Sequence, residues 1–291
     1  MVDASVVVIT YNHAKFVALC FRSILEQATS RSIQIIWHDD ASTDETVALG
    51  EEALRDCPHE VIRIHRTNNR KSRGIPFLLD LVESCLGKYV FLLEGDDCWL
   101  LQNKIDLQID ALDSRPNLQL CFTPALIFSG GDVEPMGVLA RHGPMRKECT
   151  LDEVILGDGA FMPTASLCFR RHFFATAPLW LFGRNPCSDY PMQVLASSPA
   201  GALYLPEITC GYRTNLEESW TTKTFNHPQK RMIFQTEFLA MLVRLHETLP
   251  GHTAAFAQMA YSHFADLFDQ SIKNNDFSSL ETALHSLKQI R

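Results

Sequence analysis

Four short apolar runs, at residues 5–10, 32–37, 61–65 and 89–93, are separated by stretches whose apolar residues recur at helical spacing. Runs this short that stay apolar throughout suit strands buried on both faces. Strands alternating with helices predict a parallel sheet with right-handed crossovers. The first intervening segment, residues 14–27, places Phe16, Val17, Leu19, Cys20, Ile24 and Leu25 on a helical repeat. The second begins where Ser42 or Thr43 can cap a helix running to about residue 55, with Asp44 and Glu45 favourable in its first turn. The third spans residues 75–86 and stops at Gly87. The expected fold class is α/β: a Rossmann-like, mostly parallel sheet flanked by helices.

Three of these strands run into polar clusters: Thr10-Tyr11-Asn12-His13, His38-Asp39-Asp40-Ala41-Ser42-Thr43-Asp44 and Glu94-Gly95-Asp96-Asp97. In a parallel sheet all three share the carboxyl edge, where open α/β sheets bind ligands. Carboxylates beside a glycine suit a hard divalent cation, which in turn brings phosphates. The basic loop 66–74 offers Arg70 and Arg73 to a diphosphate. A metal–diphosphate site at the end of the fourth strand is therefore expected.

Beyond Trp99 the alternation is less regular. Helices are expected at 103–114, 151–156 and 187–197. Strands are expected within 118–129 and at 165–169, 202–205 and 208–212, and hairpins or an acceptor-side loop at 130–144. After Trp220 the chain reads as helical, at 226–248, 253–273 and 277–290. This gives a domain over 1–220, with a nucleotide-binding half (1–100) and an acceptor-binding half (101–220), followed by a C-terminal helical extension over 221–291. The net charge of −8 and the lack of a basic run exclude a nucleic-acid polymer as partner. Nine scattered cysteines without a CxxC pair point to reduced thiols rather than disulfides or zinc. No stretch is apolar enough to span a membrane and no signal peptide is evident, so a cytoplasmic protein is expected. Peripheral contact with the cytoplasmic membrane face, and a homo-oligomer through the tail helices, are compatible with the pattern.

The motifs in this order resemble glycosyltransferase family 2, with its GT-A fold. The resemblance is carried by Val6-Val7-Val8-Ile9-Thr10-Tyr11-Asn12-His13, Ser23-Ile24-Leu25-Glu26-Gln27, Ile35-Ile36-Trp37-His38-Asp39-Asp40-Ala41-Ser42-Thr43-Asp44, Gly87-Lys88-Tyr89-Val90-Phe91-Leu92-Leu93-Glu94-Gly95-Asp96-Asp97-Cys98-Trp99 and Lys104-Ile105-Asp106-Leu107-Gln108. It covers about residues 5–125 strongly, 150–216 weakly and the tail not at all.

The resemblance implies an inverting hexosyl- or N-acetylhexosaminyltransferase, using a nucleoside diphosphate sugar (a UDP-sugar foremost) and Mn²⁺ or Mg²⁺. Its acceptor would be a glycan or lipid-linked glycan, in cell-surface polysaccharide synthesis. Glu94-Gly95-Asp96 stands where the family has its DXD motif, with Asp96 as metal ligand and Asp97 in support; Glu replaces the first Asp. Thr10, Tyr11 and Asn12 match the nucleotide pocket, Asp40 the contact to the base ring, and Asp39 an orienting role. Asp189, in Ser188-Asp189-Tyr190-Pro191-Met192, stands where the family has its catalytic base, with Asp158 and Glu153 as competitors. Thr164 and Ser166 match the donor-sugar side. Tyr212-Arg213-Thr214-Asn215 resembles an element that ends in His in the family, and Asn215 departs from it. Glu217-Glu218-Ser219-Trp220 is expected to be a loop closing over the donor. The other reading is a catalytically degenerate nucleotide-binding module that serves a complex through its helical tail.

Overall fold

The computed structural model describes residues 2–71, 73–216 and 219–290. In chain order the strands are β1 (Ala4–Thr10), β2 (Ile33–Asp39), β3 (Glu60–His65), β4 (Tyr89–Glu94), β5 (Cys98–Trp99), β6 (Leu120–Phe122), β7 (Ala125–Ser129), β8 (Gly137–Leu139), β9 (Lys147–Cys149), β10 (Cys168–Arg170), β11 (Ala202–Tyr204) and β12 (Cys210–Thr214). The α-helices are α1 (Val17–Leu25), α2 (Thr46–Ala53), α3 (Leu78–Glu83), α4 (Lys104–Asp113), α5 (Leu151–Leu156), α6 (His172–Thr176), α7 (Asp189–Ala196), α8 (Trp220–Phe225), α9 (Pro228–Thr248), α10 (Thr253–Asn274) and α11 (Leu280–Gln289).

The four apolar runs form β1 to β4, all paired in parallel in the order β3-β2-β1-β4. Helices cover both faces because alternate side chains of one strand point to opposite layers. Val6 and Val8 pack with Phe21, Trp37, Ile105 and Leu112. Val7 packs instead with Leu81, Val154, Tyr190, Phe238 and Phe256. The second layer thus takes in α9 and α10, so tail helices share an apolar core with one face of the sheet.

The second half of the chain adds short strands of mixed direction. β10 pairs antiparallel with β4, β6 antiparallel with β10, β11 parallel with β6, and β9 antiparallel with β11. A second sheet has the order β5-β12-β7-β8. The strand-rich stretch 118–129 therefore divides between two sheets. The strand expected at 165–169 starts only at Cys168, because residues after Pro163 turn into a 3₁₀ segment (Thr164–Ser166). That turn is held by Trp99 Nε1 donating to the Ala165 carbonyl and Gln108 Nε2 donating to the Ser166 carbonyl. The sequence pattern also misses α8.

Candidate functional site

Parallel register brings the strand ends together: Thr10 lies opposite Asp39, and Ile9 opposite Glu94. The Thr10 side chain is fully buried. Its hydroxyl accepts from Trp37 Nε1 at 3.0 Å and donates to Asp39 Oδ2 at 2.7 Å. Asp39 also accepts from the Ser42 N–H (2.8 Å) and hydroxyl (2.6 Å). Asn12, at φ 56°, accepts from the Thr43 N–H at 2.8 Å, while its own N–H donates to Ser42 Oγ at 2.9 Å. Thr10, Asn12 and Asp39 thus lace the loops after β1 and β2 together. Because Ser42 is engaged there, it does not cap the next helix. α2 starts later, at Thr46, whose N–H donates to Asp44 Oδ1. Tyr11 is half-buried at the same edge.

Asp40 is turned the other way. Its two oxygens accept from the backbone N–H groups of Arg70 and Lys71, so β2 grips the loop that follows β3. Arg70 directs its guanidinium to Asp80 at 2.9 Å, and Arg73 is exposed. The charge that reaches the acids from this loop belongs to Lys71, which acts on Glu94, Asp96 and Asp189. The Lys71 ammonium also lies 6.0 Å from the centre of the Trp220 ring.

The acidic turn after β4 is crowded. Burial raises the Glu94 carboxyl above its usual range, Asp96 adds to this, and Asp189 contributes further. Burial likewise raises Asp96, opposed by Lys71 and Arg213. Asp97 is raised furthest, by burial and then by Asp96 and Glu94. One Asp97 oxygen accepts from the Arg213 N–H at 2.8 Å, while Oδ2 is buried with no hydrogen-bond partner among the described residues. Gly95 is needed for close approach: a Cβ there would stand 2.5 Å from Thr10 Cγ2 and 2.9 Å from His13 Nδ1. Among the described residues, no three His, Cys, Asp or Glu side chains are placed to hold a metal by themselves.

Asp189 is the first residue of α7, partly buried, and near enough for its charge to be felt at Glu94. Burial raises its carboxyl, with the Tyr190 N–H and Lys71 opposing. Asn215 donates to Ser129 Oγ at 3.2 Å. Of the expected closing loop, Glu217 and Glu218 lie outside the described residues. Trp220 starts α8 and packs edge-on against Phe225 and Phe234. Thr164 and Ser166 fall in the 3₁₀ turn, with Ser166 buried. The sequence pattern gives no role to two residues that bear on the acids: His13, whose Nε2 lies 3.8 Å from Asp96 Oδ2, and Lys71, whose charge acts on Glu94 and Asp96. His13 stands at the end of the first strand motif, and Lys71 between Arg70 and Arg73 of the basic loop.

A family model described as "Glycosyl transferase family 2" matches residues 5–174, more than half of the chain. The chain belongs to glycosyl transferase family 2. It is 29% identical over 171 residues to an uncharacterized protein of Mycobacterium bovis, a match covering 57% of this chain and 46% of that protein. It is 26% identical over 170 residues to an uncharacterized glycosyltransferase of Nostoc, covering 57% and 50%. The chain's match thus spans about half the length of these curated relatives. Among solved structures, Staphylococcus aureus TarS 1–349 in complex with UDP aligns with a TM-score of 0.63 at 14% identity, covering 90% of this chain and 72% of that one. A mannosyltransferase from Pyrobaculum calidifontis in complex with GDP-Man and Mn²⁺ aligns at 0.60 and 14%, covering 98% and 74%. At such identities the likeness is one of fold, and the fold of this family member is GT-A. No helix among the described residues is long and apolar enough to cross a membrane.

Proposed function

We propose that this protein transfers a sugar, with inversion, from a nucleoside diphosphate donor to a hydroxyl of a glycan or lipid-linked glycan, with a divalent cation. The observation that carries this is the acidic turn Glu94-Gly95-Asp96-Asp97 at the carboxyl edge of β4, beside the Thr10–Asp39 pair at the ends of β1 and β2, in a member of this family. The bound UDP of one structural neighbour, and the GDP-Man and Mn²⁺ of another, support the donor class and the cation.

The donor chemistry of the turn fits a cation of this kind. Like-charged carboxyls raise one another, and a buried Asp97 oxygen has no hydrogen-bond partner among the described residues. Hard cations that accept one or two carboxylates and complete their shell with phosphate oxygens need no protein cage. Asp96 would hold it and Asp97 would support Asp96. When bound, it supplies Lewis-acid neutralisation of the charge that develops on the leaving diphosphate. Lys71 adds a positive charge on the same side. Tyr11, Asn12, Asp39 and Asp40 shape the nucleotide end, the last by fixing the loop that carries Lys71 and Arg73. Asp189 takes the proton from the acceptor hydroxyl as its oxygen attacks the anomeric carbon. Its raised affinity for a proton suits that task.

Incubating the protein with a panel of UDP- and GDP-sugars, with and without Mn²⁺, tests the reading. Cation-dependent donor turnover that is lost in Asp96→Ala is the expected result. Turnover that persists in Asp96→Ala removes the metal assignment. Nucleotide binding without turnover of any donor favours the degenerate module acting through its tail.

A further inference from the structure

The buried segment from Met162 to Ser166 is gripped from two sides. On one side stand residues that follow the acidic turn. Trp99, two residues beyond Asp97, donates its Nε1 to the Ala165 carbonyl at 3.2 Å, and Gln108 on α4 donates its Nε2 to the Ser166 carbonyl at 2.8 Å. Gln108 can present only that end of its amide, because its Oε1 accepts from the Lys104 ammonium, a group that can only donate. Lys104 is fully buried, with its ammonium 5.0 Å from the ring centre of Phe91 on β4 and 4.9 Å from that of Trp99. On the other side stands α7. Gln193, one helical turn after Asp189 and on the same helix face, donates its Nε2 to the Met162 carbonyl at 3.0 Å.

Packing alone explains neither grip. Lys104 has no carboxylate partner among the described residues, and Gln193, itself fully buried, keeps an Oε1 with no hydrogen-bond partner there. Groups left in this way are costly in a core, and apolar side chains of similar volume would fill both places at less cost. What the polar groups add is direction. Gln108 and Gln193 each fix one carbonyl of the same short segment, so that segment ties the chain beyond Asp97 to the first turn of α7.

We propose that Gln193 is a positioning residue that holds Asp189 in place relative to the acidic turn, through the Met162–Ser166 segment anchored by Trp99 and Gln108. The role rests on the transfer reaction proposed above. The cation and diphosphate place the anomeric carbon from the side of the acidic turn, while the proton acceptor comes from α7. A misplacement of about 1 Å between the two costs roughly a hundredfold in rate without weakening donor binding.

The test uses the full chain and the sugar donor that the wild type turns over. Gln193→Met should lower kcat about tenfold to a hundredfold, with UDP–Mn²⁺ affinity unchanged within about twofold. In an Asp189→Asn background the same substitution should alter the residual rate by less than about threefold, because its effect runs through the missing carboxylate. A merely structural defect would lower the rate equally in both backgrounds. Gln108→Leu, at the opposite end of the segment, should reproduce the pattern and decides the matter if Gln193→Met folds poorly. A wild-type kcat in folded Gln193→Met, or a loss of equal size with and without the Asp189 carboxylate, overturns the positioning role and leaves the transfer reaction standing. A wild type that turns over no donor refutes the transfer reaction, and the positioning role with it.

Discussion

Asp40, the residue after β2, accepts hydrogen bonds from the backbone N–H of Arg70 at 2.7 Å and of Lys71 at 2.9 Å. Burial alone would raise this carboxyl. The His38 imidazole, 3.7 Å away, and the two N–H groups outweigh burial, so it titrates below the usual range. A depressed carboxyl contributes stability above its unfolded value of about 3.9, and loses it as pH falls through the folded value. Asp40→Asn should therefore cost about 1–3 kcal/mol at pH 7, where two N–H groups lose a charged acceptor. The gap from wild type should close as the pH is taken from 7 to below the folded value of Asp40, under the usual carboxylate range. Denaturant melts at the two pH values measure this, and an equal gap at both removes the charge-based account.

Lys71 is the consequence of that grip. With its backbone held by Asp40, its side chain serves Glu94, Asp96 and Asp189 and reaches the Trp220 ring. Replacing it with Met removes the positive charge proposed to face the donor diphosphate while keeping much of the apolar stem. UDP–Mn²⁺ affinity, read by calorimetry, should fall about tenfold, equivalent to about 1.4 kcal/mol. Lys71→Arg should recover part of the loss. Arg73→Met should change it less, because Lys71 is the loop cation that acts on all three acids.

The carboxyl edge was legible because its signals are local. Apolar runs define β1, β2 and β4, and parallel pairing then aligns Thr10, Asp39 and Glu94 whatever else the chain does. What stayed hidden depends on distant partners. Nothing in the basic loop says which of its cations acts on the acidic turn, because Asp40 fixes the backbone of Arg70 and Lys71 from a distance in sequence. Ser42 looks like a helix cap until Asp39 claims its hydroxyl. The three residues of β10 slot antiparallel between β4 and β6, a placement no local pattern announces. Asp189 was found through resemblance, and its nearness to Glu94 depends on where α7 packs.

Phe238 connects the tail helices to that packing. Its ring lies 5.1 Å from the Tyr190 ring and stacks on His263 at 4.0 Å. Tyr190 follows Asp189 and anchors α7 by donating its hydroxyl to the Ile155 carbonyl at 2.9 Å. Phe238→Ala, at a fully buried position, should cost about 3–5 kcal/mol. If the tail sets the position of α7, the variant should also lower kcat at temperatures where it remains folded. A large drop in melting temperature with unchanged kcat would restrict the tail to a stabilising role.

Asp189→Asn separates the chemistry from binding. The carboxylate is the proposed proton acceptor, so its loss should lower kcat by about a hundred- to ten-thousand-fold. UDP–Mn²⁺ affinity should stay equal or tighten, because one negative charge acting on Glu94 disappears. Since burial raises the Asp189 carboxyl, the acid limb of the wild-type kcat profile should lie above the usual carboxylate range. Asp158→Asn or Glu153→Gln, at the competing acids, should leave kcat close to wild type. A near-normal rate in Asp189→Asn, with a large loss in either competitor, would move the base to that residue. The fold and the cation assignment would stand, because neither depends on which acid accepts the proton.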